Sequence, residues 1–171
     1  MSDRIEINSI YIEQITTLIE KNNSVELSII ISDLHIADIA EIIEDLSPNN
    51  SHFLFNLIED EKSAAVLVEL EDDTREKLLA DLTAREIAEE VIDNLESDDA
   101  ADVIGELAED KKEEVLSHIE DIEHASDISD LLTYPEDTAG GLMAKELIKV
   151  NENWNTLQCL KEMRKQAEDV K

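Results

Sequence analysis

An apolar residue returns every eleven to thirteen places from Leu34 to Leu131, through Leu46, Leu57, Leu70, Leu82, Leu95, Leu107 and Ile119. The text before these anchors recurs. Ala40-Glu41-Ile42-Ile43-Glu44-Asp45-Leu46 matches Ala64-Ala65-Val66-Leu67-Val68-Glu69-Leu70 and Ala101-Asp102-Val103-Ile104-Gly105-Glu106-Leu107. Apolar residues stand three and four places before each anchor as far as Ile119, which is the inward stripe of a helix. A period near twelve holds one short helix of about two to three turns and a tight turn. Helices this short are marginal alone, so each must bury its stripe against its neighbours. The pattern predicts an all-α fold, a right- or left-handed superhelical array (an α-solenoid) of about ten short helices. A longer first helix over residues 7–21 precedes it, closed by Asn22-Asn23-Ser24.

The turns carry start signals. Ser47-Pro48 reads as an N-cap followed by the first helical position. Thr83 with Glu86, and Asp73 with Glu76, have the spacing of capping boxes. Hydrophobic residues make up 42% of the chain and aromatic ones 3%, so the core is expected to be Ile, Leu, Val and Ala. That much apolar content argues against a wholly disordered chain.

The formal net charge is −30 over 171 residues. Such a charge disfavours nucleic acid and anionic lipid as partners and favours cations or basic surfaces. It is unevenly spread. Residues 1–133 carry 37 acidic and 8 basic side chains, whereas residues 134–171 carry 7 and 6. The change coincides with Thr133-Tyr134-Pro135-Glu136-Asp137-Thr138-Ala139-Gly140-Gly141-Leu142-Met143, which holds one of two prolines and two of three glycines. Stiffness and charge changing together mark a domain boundary. The expected organisation is an acidic helical domain over 1–133, a junction over 134–146, and a different unit over 147–171. In that unit Leu147-Ile148-Lys149-Val150 is expected to form a strand. Asn155 is expected to cap a helix presenting Leu157, Leu160 and Met163 on one face, with Trp154 and Cys159 beside them. A strand and one helix do not bury a core, so this unit reads as the opening of a second domain.

Cys159 is the single cysteine, which rules out an intrachain disulfide and suits a reducing compartment. No apolar run approaches the ~20 residues of a membrane helix, and the N-terminus lacks a signal-peptide pattern. The stretch itself is expected to be soluble.

Asp98, Asp99 and Asp102 form the most useful carboxylate cluster. At spacings of three and four, their side chains project to adjoining positions on one helix. Like charges placed so repel by roughly 0.2–0.5 kcal/mol per pair, and a divalent cation reverses that sign. A structural reading stands beside it: Ser97 caps the helix, and Asp98 and Asp99 complement its positive end. Asp102, one turn further in, is less easily explained that way. Oxygen-only ligands suit magnesium or calcium. His35, His52, His118 and His124 lack zinc spacing. There is no nucleophile–base pair, no glycine-rich phosphate loop and no basic patch, so an enzyme is not expected.

His35-Ile36-Ala37-Asp38-Ile39-Ala40-Glu41-Ile42-Ile43-Glu44-Asp45-Leu46-Ser47-Pro48 resembles the first repeat of the cytosolic N domain of MgtE-type magnesium transporters. Leu95-Glu96-Ser97-Asp98-Asp99-Ala100-Ala101-Asp102-Val103-Ile104 is similar to its late repeat. Tyr134 to Met143 resembles that family's link into the first CBS (cystathionine-β-synthase) motif. The resemblance implies the Mg2+-sensing regulatory part of a dimeric channel-transporter, on the cytoplasmic side of the cell membrane. Its partners would be its own CBS and transmembrane domains, with Mg2+ as regulatory ion and transported substrate. The matching motif implies Asp98, Asp99 and Asp102 as carboxylate ligands and Gly141 as a backbone ligand. Ala65 departs from the pattern, since some members have Glu there. The rival readings are a helical-repeat interaction module for a basic partner and a non-specific acidic cation buffer.

Overall fold

The computed structural model describes residues 7–135 and 138–167. Among them the chain is all-helical. Helices α1 (Ser9–Glu20), α2 (Ser24–Asp33), α3 (Ile36–Asp45), α4 (Pro48–Phe55), α5 (Asp60–Glu69) and α6 (Asp72–Ala80) follow one another with short turns. The next helical run, α7, joins an α turn (Ala84–Glu86), a π turn (Ile87–Val91) and a 3-10 turn (Ile92–Asn94). Helices α8 (Ser97–Gly105), α9 (Glu109–His118) and α10 (Ile122–Leu131) complete the body, and α11 (Thr156–Gln166) lies beyond the junction.

The repeating leucines turn out to be the residues that close the helices. Leu34, Leu46, Leu70 and Leu95 sit at C-caps in extended conformation, with ψ of 151°, 160°, 152° and 157°. Each donates its N–H to the carbonyl three residues back, at 3.2–3.3 Å. The next residue (His35, Ser47, Glu71 or Glu96) is also extended and is the N-cap of the following helix. Two extended residues therefore make the whole turn, and the period follows from one helix plus this pair. The closing side chain is buried at Leu34, Leu70, Leu95 and Ile119, and packs partly buried against the core at Leu46, Leu57, Leu82 and Leu107.

The core runs without interruption from Ile15 in α1 to Leu131 in α10. It is built of Ile, Leu, Val and Ala, with Phe55 its one fully packed aromatic. Helices two apart in sequence pack together: α3 on α5, α5 on α7, α7 on α9 and α8 on α10. Burying each such aliphatic side chain stabilises the fold by about 1.5–3 kcal/mol, which is what the short helices need. Two of the scarce cations sit on helix C-ends. Lys62 Nζ donates to the carbonyls of Ile31 (2.7 Å) and Leu34 (2.8 Å) at the end of α2. Lys111 Nζ donates to Leu79 (2.8 Å) and Leu82 (3.0 Å) at the end of α6. A positive charge there meets orphan carbonyls and the negative pole of the helix.

Several expectations hold locally. Thr83 and Glu86 form the capping box, Ser47 and Pro48 occupy N-cap and first position, and Asn155 caps α11 in a box with Gln158. The first helix ends at Asn22, whose φ of 54° is left-handed. Asn22 N–H then reaches Ile19 O (2.8 Å) and Asn23 N–H reaches Leu18 O (3.0 Å), a Schellman closure.

Two expectations fail. Asp73 is not an N-cap: the N-cap of α6 is Glu71, two residues earlier, and Asp73 lies in its first turn. Leu147–Val150 forms no strand among the described residues. A strand needs a ladder partner, and none is at hand. Instead the Gln166 side-chain amide satisfies Lys149, accepting its N–H (2.7 Å) and donating to its carbonyl (2.8 Å). Helix α11 buries no residue, and Leu157 is 79% exposed. No helix among the described residues is long and apolar enough to cross a membrane.

Candidate metal centre at the start of helix α8

Helix α8 begins in an unusual way. Its N-cap residue is Glu96, whose side chain makes no capping bond. Ser97, the residue expected to cap, is the first helical residue and is fully buried. The acceptor comes from the end of the junction. Ser97 N–H donates to one Glu146 carboxylate oxygen (2.9 Å), and its Oγ–H donates to the other (2.8 Å). Lys145 N–H donates back to Ser97 Oγ (3.2 Å). A carboxylate at a helix N-terminus meets free N–H groups and the positive pole of the helix.

This places three carboxylates together. Oxygens of Glu96, Asp98 and Glu146 all lie within 4.8 Å of one another. Asp98 Oδ1 is buried and accepts no hydrogen bond among the described residues. Desolvating a carboxylate oxygen without a partner is costly, so this atom asks for a cation or a donor.

The titration behaviour reflects the crowding. Glu96 is pushed up by burial and by the charges of Asp98, Glu146 and Asp99. Asp99 is raised by burial, Asp98 and Glu69. Burial also acts to raise Glu146. The Ser97 hydroxyl, the backbone amides of Glu146 and Ser97, and the neighbouring His124 outweigh it, so Glu146 titrates below its usual range. His124 Nδ1 lies 4.0 Å from the Glu146 carboxylate, and its Nε2 is 3.2 Å from Ile92 O.

Two facing carboxylates at 4 Å repel by about 4 kcal/mol at an effective dielectric of 20, and by about 1 kcal/mol in water. Glu96 is exposed, which puts its share near the lower figure. The all-oxygen donor set fits a hard divalent cation, and Mg2+ needs only one or two direct carboxylates. Glu96, Asp98 and Glu146 are the residues that would hold it.

The four residues singled out from the sequence lie in different surroundings. Asp98 is in the cluster. Asp99 lies half-buried toward Glu69. Asp102 and Gly141 line a separate cavity of about 140 Å3, with Lys112 and Tyr134 also on its wall. That proximity joins α8 to the junction. Gly141 N–H donates to Thr138 Oγ1 (3.3 Å). No described glycine has a positive φ. Gly140 is needed for closeness instead: a Cβ there would lie 2.5 Å from Cδ1 of Tyr134. Glu96 and Glu146 were not foreseen. Glu96 is masked by its place in a turn, and Glu146 lies 49 residues from Ser97, a separation no local pattern announces.

The family model of the MgtE intracellular N domain matches residues 34–137. Two solved structures are similar over 94% of the chain. One is the crystal structure of the soluble part of a magnesium transporter, at TM-score 0.74 and 21% identity, with 62% of that chain covered. The other is the crystal structure of the cytosolic domain of the Mg2+ channel MgtE in complex with ATP, at TM-score 0.80 and 23% identity, with 65% covered. The chain thus spans less than two thirds of either, and at these identities the likeness is one of fold. No curated protein matches. With the family model covering more than half of the residues, the chain belongs to the family of the MgtE intracellular N domain.

Proposed function

We propose that this chain is the Mg2+-sensing regulatory part of a magnesium transporter, acting on the cytoplasmic side of the membrane. The observation that carries the reading is the unpartnered, buried Asp98 Oδ1 within the Glu96–Asp98–Glu146 cluster. A bound divalent cation would supply positive charge where three carboxylates repel. Asp102 and Gly141, which share a cavity wall, form a second place for an ion, and Asp99 contributes charge nearby. The body over 1–133 is read as a superhelical array, 134–146 as the coupling segment, and 147–171 as the opening of a CBS unit. The unpacked apolar face of α11 supports that last reading, since Leu157, Leu160 and Met163 are exposed. The relatives' greater length leaves room for the rest of such a unit.

In this reading the body docks on the CBS unit of a homodimeric transporter when Mg2+ is plentiful, and carboxylate repulsion parts them when it falls. Mg2+ shifts that equilibrium only as far as it binds the docked state better. Binding measured on residues 1–171 by themselves is expected to be weak, and calorimetry giving a sub-micromolar Kd would contradict it. Amide chemical shifts on titration with MgCl2 at constant ionic strength test the location. The largest shifts are expected at residues 96–99 and 145–146. Small uniform shifts along every acidic helix would instead indicate a non-specific cation buffer.

A further inference from the structure

Residues 143–149 cross from the junction toward α11 over an acidic edge of the body. They border a groove of about 900 Å3 whose walls include Asp93, Glu96, Asp121, Glu123 and Asp127. Lys145 and Lys149 of the segment face the same groove, and Lys145 Nζ pairs with Asp130 of α10. Two lysines against an acidic wall are an ordinary electrostatic match. Glu146 is the exception, a carboxylate carried into a carboxylate-lined groove. It is accommodated because Ser97 gives it two hydrogen bonds at a helix start, and because His124 stands beside it.

Beyond these contacts the segment has little hold. Lys149 is satisfied by Gln166 of α11, which belongs to the same tail, and α11 itself buries nothing. Of the segment's large apolar residues, Met143 packs partly buried against the core, whereas Leu147 is 52% and Ile148 39% exposed. A segment with few buried apolar contacts opens at low cost. Past Met143, its hold on the body is therefore concentrated in Glu146 and Lys145.

We propose that residues 143–149 form a releasable strap, with Glu146 seated on Ser97 as the catch that fixes where the tail leaves the helical body. The catch is a property of this geometry and does not depend on cation binding. Release frees the segment and α11 together while leaving the core of α8 in place, because Val103 and Ile104 are buried against the body regardless.

Trypsin tests the strap on the whole chain. Cleavage after Lys145 and Lys149 requires the strap to lift, whereas Lys62 and Lys111 are held on helix ends in the body. Glu146→Ala and Ser97→Ala are each expected to raise cleavage at Lys145 and Lys149 roughly tenfold, the size of a lost charged hydrogen bond. Cleavage at Lys62 and Lys111 is expected to rise less, by no more than the roughly fivefold that a global loss of about 1 kcal/mol allows. Glu146→Gln, which keeps an acceptor for Ser97 but loses the charge, should fall between. Wild-type cleavage at Lys145 and Lys149 as fast as in the variants overturns the catch. So does acceleration at Lys111 in parallel with Lys145, which means that the whole body has opened.

Discussion

Helices α6 and α8 start alike and are capped differently. Each follows an extended Leu-Glu pair, Leu70-Glu71 or Leu95-Glu96, and in each the glutamate N-cap makes no side-chain bond. A carboxylate from elsewhere takes over. For α6 it is Glu44 of α3, which accepts from Glu71 N–H (2.8 Å) and Thr74 Oγ1 (2.5 Å). For α8 it is Glu146, at the end of the junction. The first cap joins two helices of the body. The second joins the body to its tail and brings a third carboxylate to Glu96 and Asp98. The same local device is thus a brace in one place and a contact between regions in the other, and only the second gathers an unpartnered carboxylate oxygen.

Removing each cap sharpens the contrast. Glu44→Ala has the larger expected effect, a loss of about 2 kcal/mol in global stability by urea unfolding, since Thr74 and the Glu71 amide lose a charged acceptor inside the packed body. Glu146→Ala should cost about 1 kcal/mol by the same measurement, the usual worth of an N-cap, because lifting the strap lets water reach Ser97. Equal global losses would break the distinction between brace and catch. Gly140→Ala should cost less still, under about 1 kcal/mol. Its Cβ would displace the Tyr134 ring, but that side chain is 43% exposed and has room to swing. A larger loss in thermal unfolding would place the junction in the folding core.

Acid separates the two sides of the α8 cluster. Glu146 titrates below its ordinary value, so its stabilising hold is complete above that value and is lost as pH falls through the lowered folded pKa. Glu96 and Asp99 run the other way. Their raised pKa values mean that the ionised forms oppose folding near neutrality, and that opposition is relieved as pH falls through the raised values. On acidification the urea midpoint should therefore rise first. The Ser97 amide shift should report loss of the catch only below the usual carboxylate range, about 4. Loss of the Ser97 signal before any rise in the midpoint would reverse the assignment.

The helical repeat was legible because it is local. The anchor leucines, the stripe three and four places earlier, and the Thr83–Glu86 and Asn155–Gln158 boxes all lie within one turn of each other. What the anchors do was less visible: Leu34, Leu46, Leu70 and Leu95 close helices in extended conformation rather than sitting within them. The candidate site was half legible. Asp98 stands out by spacing, and Asp102 with Gly141 by resemblance. Glu146 is invisible because its contact to Ser97 spans 49 residues and no periodicity links a turn residue to a distant carboxylate. The expected strand at 147–150 failed for a related reason. Its short apolar, partly β-branched text fits a strand, but strand formation depends on a partner elsewhere in space, and here Gln166 occupies the Lys149 backbone.

The central claim is that the carboxylates at the start of α8 respond to a divalent cation as such, and not merely to ionic strength. Thermal unfolding of the whole chain in MgCl2 and in NaCl at equal ionic strength, for the wild type and Asp98→Asn, tests it most directly. A ligand that binds the folded state raises Tm by mass action. The expected result is a higher wild-type Tm in MgCl2 than in matched NaCl, with that difference lost in Asp98→Asn. Equal wild-type Tm in the two salts, or a Mg2+ advantage that survives the substitution, would contradict it.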